Sequence, residues 1–256
     1  MMSNLFDLNN KVAIVTGASS GLGVQFTKAL AKQGANVVIV ARRIEKLNEL
    51  KSEIEKYGVK CLAIRCDVNN NDEIKSVVEQ TVNTMGRIDI LVNNAGIAVN
   101  VQAEGQTDEQ WYNVINTNLS SLYFFAREVG KVMIKQHYGK IINIGSIHST
   151  VAMKPTFLTA YCSSKGGVQM LTKSLAVEWA KKGITVNAIG PAYFPSEMTQ
   201  HAINNEEFKA IIDTYCPMGR AGKEGELNGA LIYFASDASS YTTGQLLTID
   251  GGWTAI

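Results

Sequence analysis

The run Val12-Ala13-Ile14-Val15-Thr16-Gly17-Ala18-Ser19-Ser20-Gly21-Leu22-Gly23 decides the fold. A short β-branched stretch breaks into three spaced glycines, after which Leu22, Phe26, Ala29 and Leu30 recur on one helical face. The pattern predicts a strand, a tight turn and an amphipathic helix. Gly17 permits the turn, Gly21 lets backbone amides approach a pyrophosphate, and Gly23 lets helix and strand pack closely while the positive helix end faces the phosphates. Ser19, Ser20 and Leu22 share the turn and join the glycines as candidate dinucleotide contacts. As an isolated string the spacing differs from the common GxGxxG and also suits a plain strand-to-helix turn.

Six further β-branched runs follow at 37–40, 62–64, 90–92, 141–144, 186–189 and 246–249, separated by longer segments of helical period such as that carrying Ile44, Leu47 and Ile54. Strands that read as nearly uninterrupted apolar runs suit a parallel sheet covered on both faces, and no Pro/Gly/Ser-rich linker divides the chain. The expectation is one α/β domain over residues 1–256: a Rossmann-like, doubly wound, seven-stranded parallel sheet with helices on both faces. Residues 191–220, polar and aromatic by turns, suit either a lid over a ligand or a subunit contact; a substrate-binding lid is expected.

Of 256 residues, 46% are hydrophobic and 18% charged, enough apolar material for a sizeable core. Lys plus Arg number 24 against 23 acidic residues with no basic block, which argues against nucleic acid or an anionic membrane as partner. The opening residues lack a secretory signal pattern and no apolar run approaches spanning length, so a cytoplasmic protein is expected. Cys61, Cys66, Cys162 and Cys216 show no metal-ligand spacing, and no metal is expected.

The second strand ends Val40-Ala41-Arg42-Arg43. A carboxylate there would accept ribose hydroxyls, whereas two guanidiniums match a 2′-phosphate, so the expected cofactor is NADP(H). After the third strand Asp67, with Val68 beside it, can receive the adenine amino group or cap the turn into Asn70-Asn71-Asp72-Glu73. Asn94, Ala95 and Gly96 form a small-residue turn after the fourth strand against which adenosine can lie.

Tyr161 and Lys165 lie four apart on a predicted helix and share a face. A phenol with an ordinary pKa of about 10 is a slow acid or base at neutral pH, and a nearby ammonium favours its phenolate. Ser146 ends the fifth strand, the edge where open α/β sheets place ligands, and its hydroxyl can hold a carbonyl oxygen beside Tyr161. Asn118 can anchor a water between Lys165 and solvent.

In order and over essentially the whole chain, the TGxxxGxG loop, Asn93-Asn94-Ala95-Gly96, Asn118, Ser146, Tyr161 with Lys165, and Asp250-Gly251-Gly252 resemble the short-chain dehydrogenase/reductase family. The resemblance implies that Tyr161 is the general acid for carbonyl reduction, that Lys165 binds nicotinamide ribose and lowers the Tyr161 pKa, that Ser146 orients substrate, and that Asn118 completes a proton relay. Tyr161 and Lys165 thereby count among the cofactor contacts, as do Pro191, Ala192, Phe194 and Ser196, where the family's usual Pro-Gly reads Pro191-Ala192 and a frequent Thr reads Ser196. The interval from Ser146 to Tyr161 is longer than usual, which leaves His148 or Ser149 as competitors for the role of Ser146.

The opening, the IINIGS segment and the TGQLLTIDGGWTAI ending resemble the gluconate 5-dehydrogenase branch. That implies hydride transfer between NADP(H) and a carbonyl or secondary alcohol of a small hydroxylated molecule such as 5-ketogluconate, with Ser146, His148 and Tyr193 as substrate contacts and Ile147, Phe157 and Phe194 as further lining. A homotetramer is implied by resemblance alone. Competing readings are a 3-oxoacyl thioester reductase, a hydroxysteroid dehydrogenase and a non-catalytic NADP(H)-binding redox sensor. Cys162 has no paired base and is rejected as a nucleophile. His137 and His201 are expected at the surface, Met133, Met170, Met198 and Met218 as core or lid fillers, and Trp253 at an interface.

Overall fold

The computed structural model describes residues 5–153, 156–203 and 205–255, without the side chains of 201 and 202, so the expectation for His201 lies outside the described residues. Seven strands, β1 (Val12–Thr16), β2 (Asn36–Ala41), β3 (Cys61–Arg65), β4 (Ile90–Asn93), β5 (Gly139–Ile144), β6 (Ile184–Pro191) and β7 (Leu246–Ile249), pair in parallel in the order β3-β2-β1-β4-β5-β6-β7. Each covers a run predicted from sequence. Alternation explains the double burial: Ala13 and Val15 point into one apolar cluster, Val12 and Ile14 into the other.

Helices α1 (Gly21–Lys32), α2 (Ile44–Ile54) and α9 (Asn228–Ala235) cover the first face, supplying Phe26, Leu30, Leu47, Leu231 and Phe234. The second face is covered by α3 (Asn71–Met85), α5 (Ser121–Gln136) and α6 (Thr159–Trp179), through Ile74, Val77, Phe125, Val129, Leu175 and Trp179. A π-helical turn, Asn116–Ser120, joins α4 (Asp108–Ile115) to α5. The Asn70 side chain caps α3, accepting from the amides of Asp72 and Glu73, while Asp67 caps the turn before it by accepting from the Asn69 amide.

Within residues 191–220 the chain is more regular than its sequence suggests, folding α7 (Gln200–Ile203) and α8 (Glu206–Tyr215), the latter capped by the Asn205 side chain. Trp253 packs inside the chain against Tyr193 and Tyr215 instead of reserving itself for an interface. Met133 is fully buried in the core, Met198 and Met218 lie exposed within the stretch 191–220, and Met170 is exposed on α6, where it fills neither core nor lid.

Strand order reverses between β1 and β4, and that central pair is clamped at its start by Asp89. This fully buried carboxylate accepts from the Val12 amide at 2.9 Å and from Arg87 at 2.8 and 2.6 Å. Asp89→Ala would leave a buried amide without a partner, so it should cost about 2 kcal/mol of stability. Arg87→Ala should cost less, because Arg87 is half exposed. Urea unfolding with unchanged slope checks both; equal costs would mean that the ion pair, not the amide bond, does the clamping.

Candidate active site

At the C-terminal edge of the sheet, where β1 and β4 part company, lies a cleft of about 530 Å³. The glycine turn forms its floor. Gly17 and Gly21 have φ of +66° and +53°, a region L side chains rarely enter, and a Cβ at Gly23 would run into the Gly17 carbonyl oxygen. The turn is tied to the neighbouring strand: Thr16 Oγ1 accepts from the amides of Asn94 and Ala95 at 3.0 and 3.1 Å, while Asn94 Nδ2 donates to the Thr16 carbonyl at 2.9 Å. The cradle therefore has room for backbone approach and none for a side chain, as a bound pyrophosphate requires.

Of the residues singled out from sequence, Gly17, Ser19, Ser20, Gly21, Leu22, Arg42, Arg43, Asp67, Val68, Asn94, Ala95 and Gly96 line this cleft, together with Ser146, Tyr161, Lys165, Pro191, Ala192, Phe194 and Ser196. Gly23, Asn118, His148 and Tyr193 do not, and each stands just behind the lining. Asp67 accepts from the Asn69 amide, while its own amide donates to Glu73, which holds the turn against the cleft wall.

The acid-base end is set by α6. Thr172 Oγ1 accepts from Asn143 Nδ2 at 2.9 Å, and Asn93 Nδ2 donates to Asn143 Oδ1 at 2.9 Å, a buried polar chain that fixes α6 against β5 and β4. Tyr161 and Lys165 consequently face the cleft together, with the Lys165 nitrogen 5.6 Å from the Tyr161 ring centre. Lys165 donates to the Ile144 carbonyl at 2.6 Å, and burial lowers its ammonium pKa to about 8. Burial also raises the Tyr161 phenol above its ordinary value, and the hydrogen bond with Ser146 works against that rise. In this arrangement the hydroxyl partner of Tyr161 is Ser146, and Lys165 spends its bond on the strand end.

Asn118 sits in the π-helical turn, a deviation that turns its fully buried amide inward. It accepts from the Ile97 amide and donates to the Ile97 carbonyl, both at 2.8 Å, and donates to Ser164 Oγ at 3.1 Å. Ser164 in turn donates to the Tyr161 carbonyl. A Cβ on Gly96 would lie 3.4 Å from Asn118 Oδ1 and 3.8 Å from Lys165 Nζ, so these three groups converge.

The long interval after Ser146 folds as a turn, Ile147–Ser149, that keeps Ser146 beside Tyr161; Ser146 Oγ accepts from the His148 amide, and Ser149 Oγ accepts from the Ser146 amide. Ser149 therefore supports Ser146 rather than replacing it. His148 is buried edge-on to Tyr161, its Nδ1 paired with the Val151 carbonyl and its Nε2 unpartnered among the described residues. Burial holds the imidazole below its ordinary pKa. Tyr193 packs on Phe208 and Trp253 and lines a second cavity of about 470 Å³; Phe157 is half exposed and Ile147 buried. The Cys162 thiol is pushed up by burial, away from thiolate chemistry.

Sequence reasoning missed Glu197, Lys46 and Thr16. Glu197 bonds Arg43 at 2.9 Å and Lys46 at 3.2 Å across the cleft mouth, a meeting of residues 154 and 151 positions apart that no local pattern announces.

A dinucleotide cradle at the switch point and a hydroxyl pair over a buried lysine define the protein as an oxidoreductase that uses a nicotinamide dinucleotide. Residues 17–254 match the family described as enoyl-(acyl carrier protein) reductase, and the chain belongs to the short-chain dehydrogenase/reductase family, whose chemistry is exercised on CH–OH groups. Among curated relatives it is 38% identical to gluconate 5-dehydrogenase of Gluconobacter oxydans (98% of this chain, 97% of the relative). It is 34% identical to 5-keto-D-gluconate 5-reductase of Escherichia coli K12 (98% of each). A solved gluconate 5-dehydrogenase from Burkholderia cenocepacia, in complex with NADP and tartrate, superposes with a TM-score of 0.95 at 34% identity, covering 99% of this chain and 98% of that one.

Gly23→Ala should abolish dinucleotide binding and lower the melting temperature by several degrees, since the added methyl must displace the Gly17 carbonyl. Calorimetric titration and thermal melts check this; binding retained would show that the turn yields without loss.

Proposed function

We propose that this chain interconverts a ketone and a secondary alcohol on a small polyhydroxylated acid, with 5-ketogluconate and gluconate as the reference pair, using NADP(H). The observation that carries the reading is one cleft with Arg42 and Arg43 at one end and Ser146, Tyr161 and Lys165 at the other. The cofactor supplies or accepts a hydride when bound. The glycine turn would hold its pyrophosphate, the turn 94–96 its adenosine side, Arg43 and Ser19 its 2′-phosphate, and Lys165 its nicotinamide ribose. The names and the bound NADP and tartrate of the relatives favour the same cofactor and a hydroxy-acid substrate.

Tyr161 is assigned the proton. In the reducing direction a buried neutral phenol is the required form, and burial favours it. Ser146 orients the carbonyl oxygen toward that hydroxyl, and Lys165, its own proton loosened by burial, holds ribose and accepts or returns charge as Tyr161 exchanges. Asn118 straps the turn at Ile97 to α6 and thereby keeps Gly96, Lys165 and Tyr161 in register. His148, with an unpartnered Nε2 beside Tyr161, is assigned to a substrate hydroxyl; Tyr193 forms the wall behind it.

Residues 191–220 are assigned as the substrate lid, because Phe194, Ser196 and Glu197 already reach over the cleft. We also assign a cytoplasmic homotetramer. Exposed Met170 and Val177, seven apart on α6, and exposed Tyr123 on α5 offer an apolar contact surface, and the four cysteines are unpaired as in a reducing compartment.

Tyr161→Phe should keep NADPH affinity and cut turnover by about a hundredfold or more. Unchanged turnover would overturn the proton assignment. A panel of 5-ketogluconate, ketopolyols, steroids and a 3-oxoacyl thioester, scored by NADPH and NADH oxidation, should favour the keto acid with NADPH; preference for the thioester would move the protein to acyl reduction. Arg43→Ala should raise the KM for NADPH about tenfold or more while barely moving that for NADH.

A further inference from the structure

The guanidinium expected to meet the 2′-phosphate is already engaged by an anion from the chain itself. Arg43 faces the Glu197 carboxylate with both terminal nitrogens, at 2.9 and 3.3 Å, and donates to Ser19 Oγ at 3.0 Å and Ser20 Oγ at 2.9 Å. Lys46, one helical turn further on, donates at 3.2 Å to Glu197 Oε1, the oxygen that Arg43 holds at 3.3 Å. One guanidinium, one ammonium and the Ser20 hydroxyl around a single anionic group, with Ser19 Oγ holding the guanidinium, form the donor set that a phosphomonoester seeks. Glu197 responds as such a ligand: its bonds to Arg43, then Ser20, then Lys46 hold its carboxyl far below the ordinary range, at about 2. It is ionised at any pH where the enzyme would work.

Glu197 belongs to the stretch between β6 and α7 that borders the cleft, and the neighbouring Ser196 stacks so closely over the glycine turn that a Cβ on Gly21 would lie 3.0 Å from Ser196 Cβ. All three charged partners are about half exposed, at 44%, 47% and 54%, so the clasp is cheap to open. We propose that Glu197 is the residue that sets cofactor discrimination: it occupies the 2′-phosphate subsite as an internal counter-ion, clasps the lid to Arg43 and Lys46, and is displaced by the phosphate of NADP(H). The inference rests on the assignment of Arg43 to that phosphate. With a dinucleotide lacking the phosphate, Glu197 stays and cancels one of the two cationic charges, so the pocket tolerates NAD(H). With the phosphate, carboxylate and ligand compete for the same donors, and the lid segment is released as the adenosine end fills.

The test uses adenosine 2′,5′-bisphosphate and adenosine 5′-monophosphate as probes, titrated calorimetrically into wild type, Glu197→Gln and Arg43→Ala, with amide exchange followed across residues 195–200. Glu197→Gln should tighten the bisphosphate by about threefold to tenfold, the scale of an exposed ion-pair network, and leave the monophosphate within about twofold. Amide exchange at 195–200 should rise when the wild type binds the bisphosphate and not when it binds the monophosphate. An unchanged or weaker bisphosphate affinity in Glu197→Gln, or an equal gain for both probes, would overturn the inference while leaving the cofactor assignment standing, provided Arg43→Ala loses the bisphosphate selectively. A wild type that does not distinguish the probes would overturn both.

Discussion

Everything in this molecule is arranged around the pairing of β1 with β4. The register sets Ala13 against Ile90, Ile14 against Leu91 and Val15 against Val92, and polar clamps lock it at both ends. Asp89 holds the start through the Val12 amide, and Thr16 with Asn94 holds the finish through four hydrogen-bonding groups. Strands added on either side must then wind in opposite senses, which opens a crevice above this pair. The glycine turn and the turn 94–96 are its two lips, so the same bonds that fix the register also set the width of the cleft.

Placement of the reacting side chains follows from the same sheet through α6. A helix can carry Tyr161 and Lys165 on one face, and the buried chain Asn93, Asn143 and Thr172, with the apolar packing of Leu175 and Trp179, sets which way that face looks. Burial then has opposite consequences for the two groups. It raises the phenol and lowers the ammonium, keeping Tyr161 protonated and leaving Lys165 close to its titration point. Among the chain's own groups, Ser146 is the one that opposes the rise at Tyr161, and Lys165 leans on the Ile144 carbonyl.

The mouth of the cleft obeys a different logic. Arg42 is exposed and makes no hydrogen bond or ion pair among the described residues, whereas Arg43 is held by Ser19, Ser20 and Glu197. Two adjacent arginines that look equivalent in sequence thus stand differently, Arg43 oriented by its partners and Arg42 exposed at the cleft. Orientation of Arg43 before any ligand arrives reduces the rotamer entropy lost on binding, and the cost is competition from the carboxylate that orients it.

The sequence alone determined the seven strands, the parallel sheet, the glycine turn and the Tyr161 with Lys165 pair, because strand alternation, helical period and turn chemistry are local and leave their mark within a few residues. It also placed Ser146 and Asn118 by their neighbours, though not the reason Asn118 points inward, since a π-helical turn has no compositional signature. Tertiary structure alone decided that Glu197 meets Arg43 and Lys46, that Tyr193 stands behind the cleft and that Trp253 packs within its own chain. Each of these depends on which segments a folded sheet brings within a few ångströms, and contact across such separations is a property of the packed chain, absent from any window of its sequence.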